Sequence, residues 1–220
     1  MNALTLGLIA AVCWGFHDIC VRFLSQKTPL LASLFVVLIA GTGFHLGLMA
    51  VSDGFTAMNG AALGYAIAAG VAFLIASLGL YFAFQRGPVR LVAPVIAGYP
   101  ILSVSWAAFN GVAISPWQWF AVVGIILGVS IVAALSDDSN EDIPAKGPTI
   151  LLAMVSAVGF ASTFALGQHA AELSNELPAT LVTRVTALLA LAAIIAAWRL
   201  PFWPGRSALP MLVMMGIADG

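Results

Sequence analysis

Residues 81–103 read YFAFQRGPVRLVAPVIAGYPILS. One apolar segment ends on Gln85-Arg86, Gly87-Pro88 breaks the chain, and a second apolar segment carries Pro94 and Pro100. Proline has no N–H, and its ring clashes with the carbonyl four residues back. The carbonyls of Arg90 and Ile96 therefore lose their usual helical partners. A soluble helix interrupted in this way loses its regularity. In a bilayer the interruption is tolerated where neighbouring helices or a water-filled cavity satisfy the freed groups. The stretch predicts a bent, cavity-lining membrane helix that follows a tight basic turn.

Composition points the same way. The chain has 220 residues, of which 62% are hydrophobic and 8% charged, against roughly 25% charged in ordinary soluble domains. Its apolar runs are long and uninterrupted, which excludes an outer-membrane barrel with alternating strands. A net charge of −1 gives no nucleic-acid signal. Cys13 and Cys20 lie two turns apart on one helix face, too far for a disulfide, and read as packing residues. The N-terminus lacks a basic n-region and a cleavage site, so it reads as a first membrane helix rather than a cleaved signal.

A span needs about 20 mostly apolar residues. Seven segments qualify: 4–24, 29–51, 61–85, 91–109, 116–135, 148–168 and 178–198. Four start at a proline (Pro29, Pro116, Pro148 and Pro178), where a missing N–H costs nothing. An eighth apolar run begins at Leu209 and reaches Gly220, too short to cross about 30 Å, so the natural protein is expected to continue. The linker 136–147, SDDSNEDIPAKG, is acidic and polar. It divides a five-helix half, 1–135, from a partial second half, 148–220.

The two halves look related. Aligned on Gly15 and Gly159, each has a Gly-Phe pair at the same depth, a polar connector and then a proline-started helix. An odd-numbered repeat must be inverted in the membrane, which is a transporter signature. Arg22, Lys27, Arg86, Arg90, Lys146, Arg199 and Arg206 fall at or near connections that share one side, as an inverted copy requires. By the positive-inside rule that side is cytoplasmic and the N-terminus is outside. The fold class expected is an all-α polytopic membrane protein, an inverted repeat of five-helix halves with the second incomplete.

At this level the chain resembles the drug/metabolite transporter superfamily, in particular its EamA-type permeases. The residues that carry the resemblance are the run ending Trp14-Gly15; Tyr81, Gln85-Arg86-Gly87-Pro88, Ala93-Pro94 and Tyr99-Pro100; Pro116-Trp117-Gln118-Trp119 leading into Gly124 and Gly128; and Pro178 with Arg184. The resemblance implies two inverted five-helix halves, ten helices in a full-length member and solute transport. Two departures stand out. Phe109-Asn110-Gly111-Val112 replaces the family's Leu-Gly-Glu before helix five, and Phe35 stands where the second half has Arg184. The family's N-terminus is cytoplasmic, opposite to the count of basic residues, so orientation stays open.

Ionisable residues inside spans mark functional sites by default. Asp18 admits two readings, an ion pair with Arg22 one turn on or, with His17, a cavity-facing proton-coupling group. Arg184, two turns into its helix, either snorkels or anchors an anionic group. Trp14, Tyr81, Gln85, Tyr99, Ser103, Ser105 and Trp106 are candidates for a mostly apolar pocket or for inter-helix contacts, with Pro94 and Pro100 bending the helix that carries them. His45 reads as interfacial, Gln168 and His169 as a polar helix end, and Trp117 and Trp119 as belt residues. Gly124-x-x-x-Gly128 and the series Gly7, Ala11, Gly15 read as close-packing positions.

The expected function is a secondary transporter of a small organic metabolite, such as an amino acid or related solute, by alternating access in the inner (plasma) membrane. Its partners would be the solute, the bilayer, a coupled proton and, through the glycine motif, a second copy. No cofactor or metal is expected, since no ligand set has fitting spacing. A nucleophile elbow, an HExxH and a Walker loop are missing from the sequence. Rival readings are a membrane-embedded enzyme built on His17-Asp18 and a non-transporting scaffold subunit.

Overall fold

A computed structural model describes residues 3–52, 54–135 and 146–220, with side chains described at all but 3, 4, 129 and 132–135. Most of the acidic linker lies outside the described residues. Within them the chain forms nine helices: α1 (Ala3–Leu24), α2 (Leu30–Val51), α3 (Gly60–Arg86), α4 (Val89–Ile96), α5 (Tyr99–Phe109), α6 (Pro116–Leu135), α7 (Lys146–Glu172), α8 (Glu176–Ala197) and α9 (Leu209–Asp219). Six spans among the described residues are long and apolar enough to cross a membrane, α4 and α5 counting as one; 116–128 of α6 and α9 are shorter apolar helices. The protein is a multi-pass helical membrane protein.

Local chemistry sets the helix ends. The Asn59 side chain accepts from the Ala62 N–H at 2.8 Å and starts α3. Asn175 does the same for α8 through Leu177. These contacts satisfy donors that the first helical turn leaves orphaned. Gly87 closes α3, its N–H donating to Ala83, and Pro88 sets the extended entry to α4. The bend in the following span lies at Ala97-Gly98. Pro94 is inside α4, but Pro100 falls in the first turn of α5. It therefore starts a helix instead of kinking one, because there the missing N–H breaks no bond.

Four contacts fix which ends lie together. Arg22 Nη1 donates to the Phe84 carbonyl at 2.9 Å, and Gln85 Nε2 donates to the Ser25 carbonyl at 3.1 Å. The ends of α1 and α3 are thus on one side. A methyl group added at Gly87 would strike Thr149, so α7 begins on that side too. At the opposite side Asn59 Nδ2 donates to the Leu173 carbonyl at 3.0 Å. Hence α7 runs antiparallel to α1 and α3.

The contacts between helices follow the same symmetry. Exchanging α1, α2, α3 with α7, α8, α9 turns the α3–α7 contact into α9–α1 and α3–α8 into α9–α2, and leaves α2–α8 unchanged; all five are present. Gly70 of α3 packs on Thr183 and Thr186 of α8, and Gly216 of α9 packs on Val37 and Ala40 of α2. An inverted arrangement of the first three helices of each set is therefore built into the packing.

Close approach comes from these glycines and from Gly159, where a Cβ would lie 2.8 Å from that of Ala76. At Gly7, Gly15, Gly124 and Gly128 a Cβ would meet nothing within 4 Å, so the expected packing motifs make no tight contact within this chain. The core sits among α2, α3, α8 and α9, around Leu34, Leu38, Phe84, Leu191, Leu212 and Met215. Many large apolar side chains of α1, α6 and α7 point outward, Val12, Phe120 and Leu151 among them. Lipid tails are as apolar as leucine, so this exposure is expected of a membrane protein.

Candidate functional site

The helices enclose a cavity of about 540 Å³, within the range that takes a metabolite-sized ligand. It is lined from α1, α2, α3, the α4–α5 bend, α7, α8 and α9, and not from α6. Six of the ten residues singled out from the sequence line it: Trp14, His17, Asp18, Tyr81, Tyr99 and Arg184. Gln85, Pro94, Pro100 and Ser103 do not. Gln85 is committed to Ser25 at the α1–α2 turn. Ser103 keeps a buried hydroxyl without a partner, and the two prolines shape the backbone behind Ala93, Ile96 and Ala97, which do line the cavity.

Three groups of side chains give the cavity its character. In the first, His17 Nδ1 lies 3.5 Å from Asp18 Oδ1, and His17 Nε2 lies 3.5 Å from the Tyr81 hydroxyl. This links α1 to α3 through a polar chain. Arg22 meanwhile reaches the Phe84 carbonyl, which caps the end of α3.

The second group is aromatic. Trp14 of α1, Tyr99 of α5 and Phe164 of α7 have ring centroids 6.3 Å (Trp14–Tyr99), 5.7 Å (Trp14–Phe164) and 5.4 Å (Tyr99–Phe164) apart. The bend at Ala97-Gly98 delivers Tyr99 to the cavity, and the antiparallel docking of α7 on α3 delivers Phe164. Trp14 and Asp18 are one turn apart and share a helix face.

The third group centres on Arg184, which is 6% exposed and does not snorkel. Its Nη1 lies 3.1 Å from Asp219 Oδ2, its Nη2 donates to the Asp219 carbonyl, and its guanidinium carbon stands 5.7 Å from the Phe73 ring centroid. Removing two charges from water is favourable only when each is paired and hydrogen-bonded. Asp219 supplies both to the two terminal nitrogens, while Arg184 Nε is buried without a hydrogen-bond partner. His45, expected at an interface, is instead buried in α2, and neither ring nitrogen has a hydrogen-bond partner.

Asp219, Phe164, Phe73 and Gln168 are cavity residues that sequence reasoning missed. Asp219 was visible as an acid ending an apolar run, with Arg184 the intramembrane charge available to pair with it. Gln168 was expected to end its helix, but α7 continues to Glu172, whose Oε1 accepts from Gln168 Nε2 at 2.9 Å. The rings on α7 carry no sequence signal, since phenylalanine is ordinary in any span. Among the described residues no group of three or more His, Cys, Asp or Glu is placed to hold a metal ion.

Comparison with known proteins decides the lineage. The model of the EamA-like transporter family matches residues 1–134. The chain belongs to the EamA-like transporter family. An uncharacterized protein of Methanocaldococcus jannaschii is 28% identical to it over 133 residues, which are 60% of this chain and 96% of that protein. Membership makes this a permease-type membrane protein of a family that handles small solutes.

Proposed function

We propose that the chain belongs to a secondary carrier that moves a small organic solute, of amino-acid size, across the plasma membrane by alternating access. The observation that carries this is the cavity between α1–α5 on one side and α7–α9 on the other. It is large enough for such a solute, and it is lined by few polar groups against an apolar, aromatic background. Residues 1–135 and 148–220 are proposed as the two rocking bodies, and the family match, which ends at residue 134, supports that boundary. Inverted helices around a shared site give the two bodies equivalent roles in the inward- and outward-facing states. His17 and Asp18 are proposed to face the transported solute and a coupled proton.

The role is non-enzymatic in this proposal, and the family to which the chain belongs supports it. The test is solute flux in proteoliposomes carrying the purified protein, with and without an imposed proton gradient. Saturable, protein-dependent uptake of an amino acid or amine is the expected result. Absence of flux for every amino acid, organic cation and organic anion tried contradicts the proposal.

A further inference from the structure

Residues 198–206 read WRLPFWPGR and join α8 to α9. We infer that this connection is a docking site for anionic phospholipid, with Arg199 and Arg206 on the headgroup phosphate and Trp198, Phe202 and Trp203 at the boundary with the acyl chains. The site stands apart from the central cavity and does not depend on the carrier role. α8 starts just after Leu173, on the Asn59 side, and its 22 residues rise about 33 Å. The connection therefore lies at the opposite face, with the α1–α2 turn and Gly87.

The loop is anchored from inside and presents its chemistry outward. Leu200 packs against the core, and Pro204 and Ala208 are buried. Trp198, Phe202 and Trp203 are 68%, 63% and 51% exposed, and Arg199 and Arg206 are exposed between and beside them. Tryptophan at a membrane face sits at headgroup level. The Leu200 N–H donates to the Ile195 carbonyl at 2.9 Å and closes α8, which places Arg199 at φ 52°. Glycine is the usual residue at that left-handed position, and a side chain there costs free energy. The turn thus carries a long cation where glycine would be less strained.

Charge selects the headgroup. Residues 198–208 contain no acid, and among the described residues neither guanidinium has an ion-pair or hydrogen-bond partner. Two unpaired cations match a headgroup of net negative charge, whereas a zwitterionic one would leave its ammonium without a partner. The planar guanidinium fork suits phosphate oxygens, and basic residues at a membrane surface are drawn to anionic lipid. The aromatic edge of the other face differs. Trp117 and Phe120 are exposed there too, but 110–120 carries no charge, so that edge has nothing to tell one headgroup from another.

Native mass spectrometry of the purified chain, offered equimolar phosphatidylglycerol and phosphatidylcholine, tests the site. Phosphatidylglycerol should be retained about tenfold or more over phosphatidylcholine. Arg199→Gln with Arg206→Gln should bring that ratio to near one. Lys27→Gln with Arg86→Gln, on the same face, should leave it within about twofold. Arg199→Gly removes the cation and relieves the backbone. It should lower the ratio about fivefold with the thermal unfolding midpoint unchanged or raised, which separates loss of binding from loss of fold. Trp198→Ala with Trp203→Ala should lower retention of both lipids and spare the ratio. Inorganic phosphate, against chloride at equal ionic strength, should not displace the lipid. A ratio near one in the unmodified chain, a ratio unchanged in the arginine double variant, an equal loss in the Lys27, Arg86 variant, or displacement by inorganic phosphate overturns the lipid site.

Discussion

Arg184 and Asp219 are the most exposed to test of all single residues, because Arg184 is buried, Asp219 is largely shielded and each completes the other. Truncating one member of a buried pair leaves an uncompensated charge and costs about 3–5 kcal/mol, whereas replacing both by apolar groups is often near neutral. Asp219→Leu alone should therefore destabilise the protein strongly, and the Arg184→Met, Asp219→Leu double variant should recover much of the loss. Unfolding by sodium dodecyl sulfate, followed by circular dichroism, measures both. Gln85 makes the contrasting case. It bonds Ser25 outside the cavity, so Gln85→Leu should cost about 1 kcal/mol of stability and leave solute flux in proteoliposomes unchanged. Loss of flux in a folded Gln85→Leu protein would place Gln85 in the solute path after all.

At the level of helices, the packing depends on where glycine is needed. Gly159 lies against Ala76, and a larger side chain must force α3 and α7 apart. Gly159→Leu should cost about 1–3 kcal/mol as overpacking, while Gly124→Leu, in open space, should change stability by less than about 0.5 kcal/mol. Thermal unfolding in detergent distinguishes them, and equal losses would contradict the packing described. The contrast also shows what the sequence could and could not reveal. Span positions followed from apolar length, and first-turn prolines such as Pro116 and Pro178 were legible because proline there costs nothing. Which glycines touch was not legible, because a small-residue motif does not say what faces it. Pro100 was read as a kink, but the chain had already turned at Ala97-Gly98, and only the backbone geometry tells an interior proline from one in a first turn. The ring wall was hidden for the same reason, since Phe164 reaches Trp14 only through the antiparallel docking of α7.

For the whole molecule, the inverted arrangement has a direct consequence for topology. The α1–α2 turn, Gly87 and the start of α7 share one side, and Asn59 and Leu173 share the other. In a background without Cys13 and Cys20, a cysteine at Lys27 or Gly147 should label from one face of sealed vesicles with a membrane-impermeant maleimide. A cysteine at Met58 or Ser174 should label from the opposite face. The same direction reversal was legible in the basic residues, though their count alone does not settle which side is cytoplasmic. The central claim is that the cavity itself carries the solute. Gly167 lines it, and a Cβ added there would meet nothing within 4 Å, so Gly167→Trp is the variant expected to obstruct the cavity. Uptake of an amino acid or amine into proteoliposomes is the measurement, with Gly124→Trp on the outward-facing α6 as the reference. Uptake should be abolished in Gly167→Trp and kept in Gly124→Trp; a folded Gly167→Trp protein that transports at the unmodified rate would show that the solute does not pass through this cavity.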